Sequence, residues 1–183
     1  LETLKIQPTK QGTAYAVFDF GGGTTDFDYG FYRLPTQQEE NEGWEHVLEH
    51  FGASGDQFLG GENLLENMAY LVFCSNVDIC RKHEIAFSKP LDAKDFAGSE
   101  MLLAKTQAAI TNTTMMMSHL RALWEKGEAN KNAQGLTKIK LINCKDEPVN
   151  CDLAIKEADL LTYLKSRIQQ GIQNFFIEMK RSF

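Results

Sequence analysis

No apolar run in this chain approaches the roughly 18 residues that a membrane-spanning helix needs, and the opening LETLKIQPTKQG lacks the charged-then-apolar layout of a secretory leader. The cytoplasm is therefore the expected compartment, and no membrane partner is expected. Cysteine is scarce: Cys74, Cys80, Cys144 and Cys151 form no CxxC pair and their spacings fit no zinc pattern, so reduced, mostly buried thiols are expected rather than a disulfide frame. Cations are outnumbered, 19 Lys and Arg against 25 Asp and Glu, and the net charge of −6 supplies no clustered positive surface for nucleic acid. Two phosphate signatures are missing. There is no Walker GxxxxGK[ST] loop, and although Asp19 to Gly21 reads DFG, no HRD precedes it and no APE follows, so the kinase triplet is coincidental. Internal repeats are absent, as are low-complexity tracts beyond one short acidic loop.

What remains is an ordinary globular balance, 43% hydrophobic and 24% charged over 183 residues. Such a length buries about 70% of the surface its unfolded chain exposes, enough for a core in one domain or two small lobes. TAYAVFDF and DFDYGFYRL read as two strands, rich in aromatic and β-branched residues. PTQQEENEG follows as a polar loop bounded by Pro and Gly, and HVLEHFGASG as a third strand, with a short helix as the alternative. On that helix His46 and His50 would stand four apart, as two metal ligands do, but no third ligand is near in sequence.

Behind Gly60 and Gly61 the period changes to that of a helix, with Leu64, Leu65, Met68, Leu71 and Val72 on one face. Ser99 is a candidate N-cap for a long helix whose buried stripe would be Leu103, Thr106, Ile110, Thr113, Met117, Leu120 and Trp124. Its TTMMM run, Thr113 to Met117, is expected to fill core, and the sequon-like NTT at Asn112 is expected to carry no glycan. TKIKLINC and VNCDLAI, joined by a turn at Asp146 to Pro148, read as a hairpin. A final helix places Leu161, Leu164, Ile168, Ile172, Phe175 and Met179 on one face, with Glu157 and Asp159 in its first turn and Lys180 and Arg181 in its last, both as the helix dipole favours.

The chemistry concentrates in AVFDFGGGTTDFDYG, residues 16 to 30. A hairpin turn needs one or two residues of positive φ, so three glycines in a row exceed what the turn alone demands. Bare N–H groups from Gly21, Gly22 and Gly23, with the hydroxyls of Thr24 and Thr25, form a set of donors suited to phosphate oxygens. Asp19 and Asp26, at the end of one strand and the start of the next, are placed to hold the waters of a hard divalent cation or to orient an attacking water. The alternative is a glycine-rich hairpin that holds no ligand.

VFDFGGGTTDF resembles the second phosphate motif of the actin, sugar-kinase and heat-shock chaperone ATPase superfamily. GASGDQFLGGENLLENMAYLVF resembles the Ala-Gly-Asp, Leu-Gly-Gly-Glu-Asp and helix of the heat-shock 70-kDa (DnaK-type) branch, where bacterial actin-like relatives have Val-Gly-Gly-Asp. LRALWEKGEANKNAQGLTKIKLI is similar, more distantly, to that branch's adenosine helix and the strand after it. This resemblance implies an α/β fold in which an RNase-H-like half-lobe (13–74) is followed by an inserted, helix-rich α+β subdomain with a short antiparallel sheet (75–183). It implies a piece of an ATP-binding domain, with preceding and following segments supplying the first phosphate loop and an adenosine strand.

By the same resemblance Gly21, Gly22, Gly23 and Thr24 would hold phosphates of ATP or ADP, Asp19 and Asp26 the shell of Mg2+, Gly60 and Gly61 a closing turn, and Glu125 the ribose. An exchange factor or co-chaperone would bind the inserted subdomain, and protein clients other parts of the whole protein. Departures are plain: Glu128 and Ala129 stand where the family has a lysine and an arginine, Asn132 replaces a serine, and the loop from Pro35 to Gly43 is longer. Two other readings keep the same hairpin, a lobe of a related small-molecule kinase or reactivating factor, and a scaffold that has lost hydrolysis.

Overall fold

The computed structural model describes residues 6–126 and 136–182, with 123–126 and 182 described by their backbone only. The chain is mixed α/β with two small antiparallel sheets and divides into two units. The first comprises the residues up to Gly60 together with those from Ile168 onward; the second runs from Gly61 to Arg167. The division thus falls at Gly60 rather than after Cys74. The helix α2 (Gly61–Ser75) lies wholly in the second unit because Met68, Ala69, Tyr70, Val72 and Phe73 share one core cluster with Met116 and Leu120. No helix among the described residues is long and apolar enough to cross a membrane.

In the first unit β1 (Thr13–Phe20), β2 (Thr25–Arg33) and β3 (Val47–Asp56) form an antiparallel sheet in that order. Alternation places Thr25, Phe27 and Tyr29 of the central strand on one face, where they are buried. Phe175, on the long helix α5 (Glu157–Ser182), stacks on Phe27 at 5.4 Å and meets Phe18 edge-on at 5.4 Å. The β2–β3 register shifts at Gly30, where a Cβ would overlap the Glu49 carbonyl oxygen and stand 2.9 Å from the Tyr15 hydroxyl.

The polar stretch after Pro35 is not loop throughout. It holds a short helix, α1 (Gln37–Asn41), started by a reciprocal capping box between Thr36 and Glu39. Arg33 donates to both Glu39 oxygens, at 2.8 and 3.0 Å, and to Glu49 at 3.0 Å. Those bonds, with the Thr36 N–H, hold the Glu39 carboxyl down at about 2. His46 lies just before β3 and His50 within it, and extended chain separates positions four apart too widely to chelate one ion. His46 lies near the Tyr32 ring and His50 pairs with Asp28. Among the described residues no group of three or more His, Cys, Asp or Glu is placed to hold a metal directly.

The second unit packs α2, the short α3 (Val77–Lys82), α4 (Gln107–Lys126) and the hairpin β4 (Thr137–Ile142)–β5 (Pro148–Leu153) around Phe73, Phe87, Met116, Leu120, Leu141 and Leu153. Phe73 and Phe87 stack at 4.7 Å. The hairpin turn carries Asp146 in the left-handed region, φ 61°.

Helix α4 does not start at Ser99. Phe87 accepts from the Ala104 N–H and donates to the Leu102 carbonyl, which holds that stretch extended, and Ser99 instead bonds back to the Phe96 carbonyl. The hydroxyl of Thr106 caps the helix by accepting from the Ala109 N–H at 3.3 Å. Of the expected stripe Thr113 and Leu120 are buried and Met117 partly so, whereas Thr106 and Ile110 are exposed and Ala109, Asn112 and Met116 lie inside instead. Of the methionine run, Met116 is core, Met117 packs partly buried beside it, and Met115 is exposed. Trp124 lies outside the residues with described side chains. Asn112 is buried: its amide donates to the carbonyls of Ala86 (2.9 Å) and Ile142 (2.8 Å) and accepts from the Ile142 N–H at 2.7 Å.

On α5 Phe175 is buried and Leu164, Ile168 and Met179 are partly buried as expected, whereas Leu161 and Ile172 are exposed and their neighbours Leu160 and Gly171 are buried instead. All four cysteines are free. Cys80 and Cys151 are buried, Cys74 is half-buried and Cys144 is exposed. Burial pushes the Cys80 thiol up to about 12, with neighbouring Cys151 adding to the shift.

Candidate functional site

Strands β1 and β2 pair as far as Phe20 and Thr25, and the turn between them is closed by the Gly21 N–H donating to the Thr24 carbonyl at 2.9 Å. None of Gly21, Gly22 and Gly23 has a positive φ; the left-handed glycines among the described residues are Gly12, Gly43 and Gly98. The backbone angles therefore do not require glycine here, contrary to the usual reason for one in a tight turn. Packing explains part of the requirement. A Cβ on Gly21 would sit 3.2 Å from the Thr24 carbonyl oxygen, but one on Gly23 would meet nothing within 4 Å.

The second glycine turn packs directly on the first. A Cβ on Gly60 would overlap the Gly23 carbonyl carbon and the Gly22 carbonyl oxygen and lie 2.6 Å from the Gly22 carbonyl carbon. Beside this contact the Thr25 hydroxyl, fully buried, donates to the Leu59 carbonyl. The turn carrying Leu59 is itself held by the Asp56 carboxylate, which accepts from the Phe58 N–H at 2.9 Å. Thr25 is thus a structural clamp and not, as was expected of it together with Thr24, a donor to phosphate oxygens. Only Thr24 keeps an exposed hydroxyl, 3.5 Å from an Asp26 oxygen.

Asp19 and Asp26 are cross-strand partners, so their side chains leave the same face of the sheet, the one opposite Phe27. They line a shallow cleft of about 390 Å3 with Val17, Asp28, Ala53 and Ser54. Gly55 lies under Asp26, where a Cβ would stand 3.0 Å from its Oδ1. Asp28 is the residue that sequence reasoning missed. It accepts from Tyr15, whose phenol is pushed up by burial and then by this carboxylate, and it pairs with His50 Nε2 at 2.7 Å. The Asp-Phe-Asp alternation at 26 to 28 could have revealed it; the His50 partner depends on a bulged register that no local pattern announces.

Of the nine expected site residues, Asp19, Gly21, Gly22, Gly23, Thr24, Asp26 and Gly60 gather at one end of the three-stranded sheet. Gly61 opens α2 as the first residue of the second unit. The Glu125 side chain, and Glu128, Ala129 and Asn132, lie outside the described residues. The gathered set fits a hydrated divalent cation and a phosphate chemically: carboxylate oxygens for the metal's waters, and open space at the Cβ position of Gly23 for an anion to approach.

The Thr25 clamp is open to test. Thr25→Val keeps the shape but leaves the Leu59 carbonyl without its donor, and is expected to lower stability by about 1–3 kcal/mol in denaturant melts, while Thr25→Ser retains most of it. Equal stability of all three proteins would remove the clamp. No protein-family model and no curated protein matches the chain.

Proposed function

We propose that this chain supplies the second phosphate-holding hairpin and the adjoining helix-rich unit of an ATP-binding domain of the heat-shock 70-kDa chaperone type. The observation that carries the reading is Gly23: neither its φ nor its packing calls for glycine, so the missing side chain is accounted for by a ligand that must come close to the backbone. Gly21, Gly22, Gly23 and Thr24 hold phosphate oxygens; Asp19 and Asp26 hold the waters of magnesium. When bound, the cation offsets phosphate charge, and the two carboxylates orient a water for attack. Gly60 fixes the hairpin from behind. ATP turnover by the whole protein would then be coupled to client binding, with the second unit as the surface for an exchange factor or co-chaperone.

One hairpin offers a single wall, whereas phosphoryl transfer needs charge stabilisation from several directions. These 183 residues by themselves are therefore expected to bind MgATP only at about 1 mM or weaker, ~−4 kcal/mol, with amide shifts centred on Gly21 to Thr24 in a heteronuclear NMR titration. Thr24→Val should weaken that binding further. Shifts that avoid the turn altogether would overturn the reading, and micromolar affinity would overturn its single-wall form.

A further inference from the structure

We infer that the outer edge of β4 is a docking surface for an extended segment of a partner protein in which acidic and apolar residues alternate. The surface lies wholly within the second unit, contiguous from Gly61 to Arg167, and holds whether or not the hairpin of the first unit takes a nucleotide. Along an antiparallel strand the backbone groups of successive residues point alternately toward and away from the partner strand. Ile142 points its N–H and carbonyl away from β5, since Pro148 stands opposite it with no N–H to offer, and both groups are taken by the Asn112 amide. Lys140 and Lys138 share its parity and therefore also face outward. Toward the hairpin turn this same edge is covered: the Cys144 N–H donates to the Glu84 carbonyl, and Ile85 bridges Asn143 antiparallel. The chain then leaves β4, because Phe87 pairs instead with residues 102 to 104, and Asn112 stands between the Ala86 carbonyl and Ile142. Beyond Asn112 the N–H and C=O groups of Lys140 and Lys138 have no partner among the described residues. The edge is thus a ladder begun by this chain's own residues and left incomplete.

The side chains beside the edge indicate what completes it. Between α4 and β4 runs a groove of about 860 Å3, lined by Ile110, Thr111, Met115 and Ser118 together with Lys138 and Lys140. Its apolar side chains are open, Ile110 being 46% and Met115 38% exposed. No Asp or Glu is among the described residues that line it, although acids outnumber cations in the chain, 25 to 19. A strand added antiparallel, as the Ile85 bridge is, sets every second side chain beside the two lysines and those between over α4. Acidic residues suit the first set and apolar residues the second, while the main-chain bonds are indifferent to sequence. Lysine set against lysine disfavours a second copy of β4 as the occupant.

The test is a heteronuclear NMR titration of the whole chain with the peptide acetyl-Glu-Val-Glu-Val-Glu-Val-Glu-amide. Heptaglutamate and the same peptide with its glutamate amides N-methylated are the controls. The expected result is saturable shifts centred on the Lys138 and Lys140 amides, slower hydrogen exchange at both, and at least about tenfold weaker binding of either control. Lys138→Glu combined with Lys140→Glu should weaken the alternating peptide by a like factor; both side chains are exposed, so the variant is compatible with the fold, which a thermal melt checks. Lys140→Pro removes an outward N–H without removing a bond to β5, and should abolish the peptide's protection of the edge. Should that variant melt early, the N-methylated peptide makes the same distinction. Heptaglutamate bound as tightly as the alternating peptide would show attraction of charge alone and overturn the proposal. So would shifts that avoid β4, binding that survives N-methylation or the double substitution, or a chain that leaves the peptide unbound, whether or not it pairs with its own copies.

Discussion

Gly60→Ala is expected to lower stability by about 3 kcal/mol or more, a fall of roughly 6–12 °C in melting temperature for a chain of this size. The methyl has nowhere to go: it overlaps two backbone atoms of Gly22 and Gly23, and backbone cannot yield as the end of a flexible side chain does. Either the β1–β2 turn or the turn after β3 must move, and the Thr25–Leu59 bond lies between them. Gly23→Ala is the informative companion, because its methyl would meet nothing within 4 Å. It should melt close to the parent protein and yet abolish the MgATP-induced shifts at the turn. A Gly60→Ala protein as stable as the parent would show that the two glycine turns are not in contact; a Gly23→Ala protein that still binds would remove the main support for the phosphate reading.

Asn112→Ala is expected to cost about 3–5 kcal/mol, since one side chain satisfies three backbone groups. Removing it strands the carbonyls of Ala86 and Ile142 and the Ile142 N–H in a site without solvent. The measurement is a denaturant melt combined with hydrogen exchange at the Ile142 amide, whose protection should fall first. Asn112→Asp separates the contributions: a carboxylate can still accept from Ile142 but repels both carbonyls, so it should be at least as destabilising as alanine near neutral pH. Unchanged melts for both would mean that the amide does not tie α4 to β4.

Much of this fold was legible in the residues because its signals are local. β1 is rich in aromatic and β-branched residues, the β4–β5 hairpin alternates, the glycine run marks its own turn, and Gly60–Gly61 marks the start of a helix. Local signals also explain the misses. Thr36 and Glu39 form a capping box in plain view, but α1 has no apolar stripe, and its bounding Pro and Gly suggest loop. Ser99 has the chemistry of an N-cap, and only the contact between Phe87 and residues 102 to 104, distant in sequence, keeps that stretch from being helix. The buried faces of α4 and α5 were placed in part, at Thr113, Leu120 and Phe175, and missed elsewhere by one residue because small or polar residues, Ala109, Asn112 and Gly171, occupy inward positions that a hydrophobic stripe does not select. At the candidate site the glycines and Asp19 and Asp26 were readable from spacing, whereas the separate duties of Thr24 and Thr25 depend on which side of β2 the Leu59 carbonyl occupies.

The division of the chain at Gly60 and Ile168 has a consequence for synthesis. A ribosome delivers the three strands of the first unit early, but Phe175, which covers Phe18 and Phe27, emerges only after the whole second unit has been made. During that interval the sheet can hold its hydrogen bonds while its aromatic face stays wet, and the second unit, contiguous from Gly61 to Arg167, can complete its own core first. The aromatic face of the nascent sheet is thus barest at this stage, and a pause in translation before α5 would lengthen that exposure.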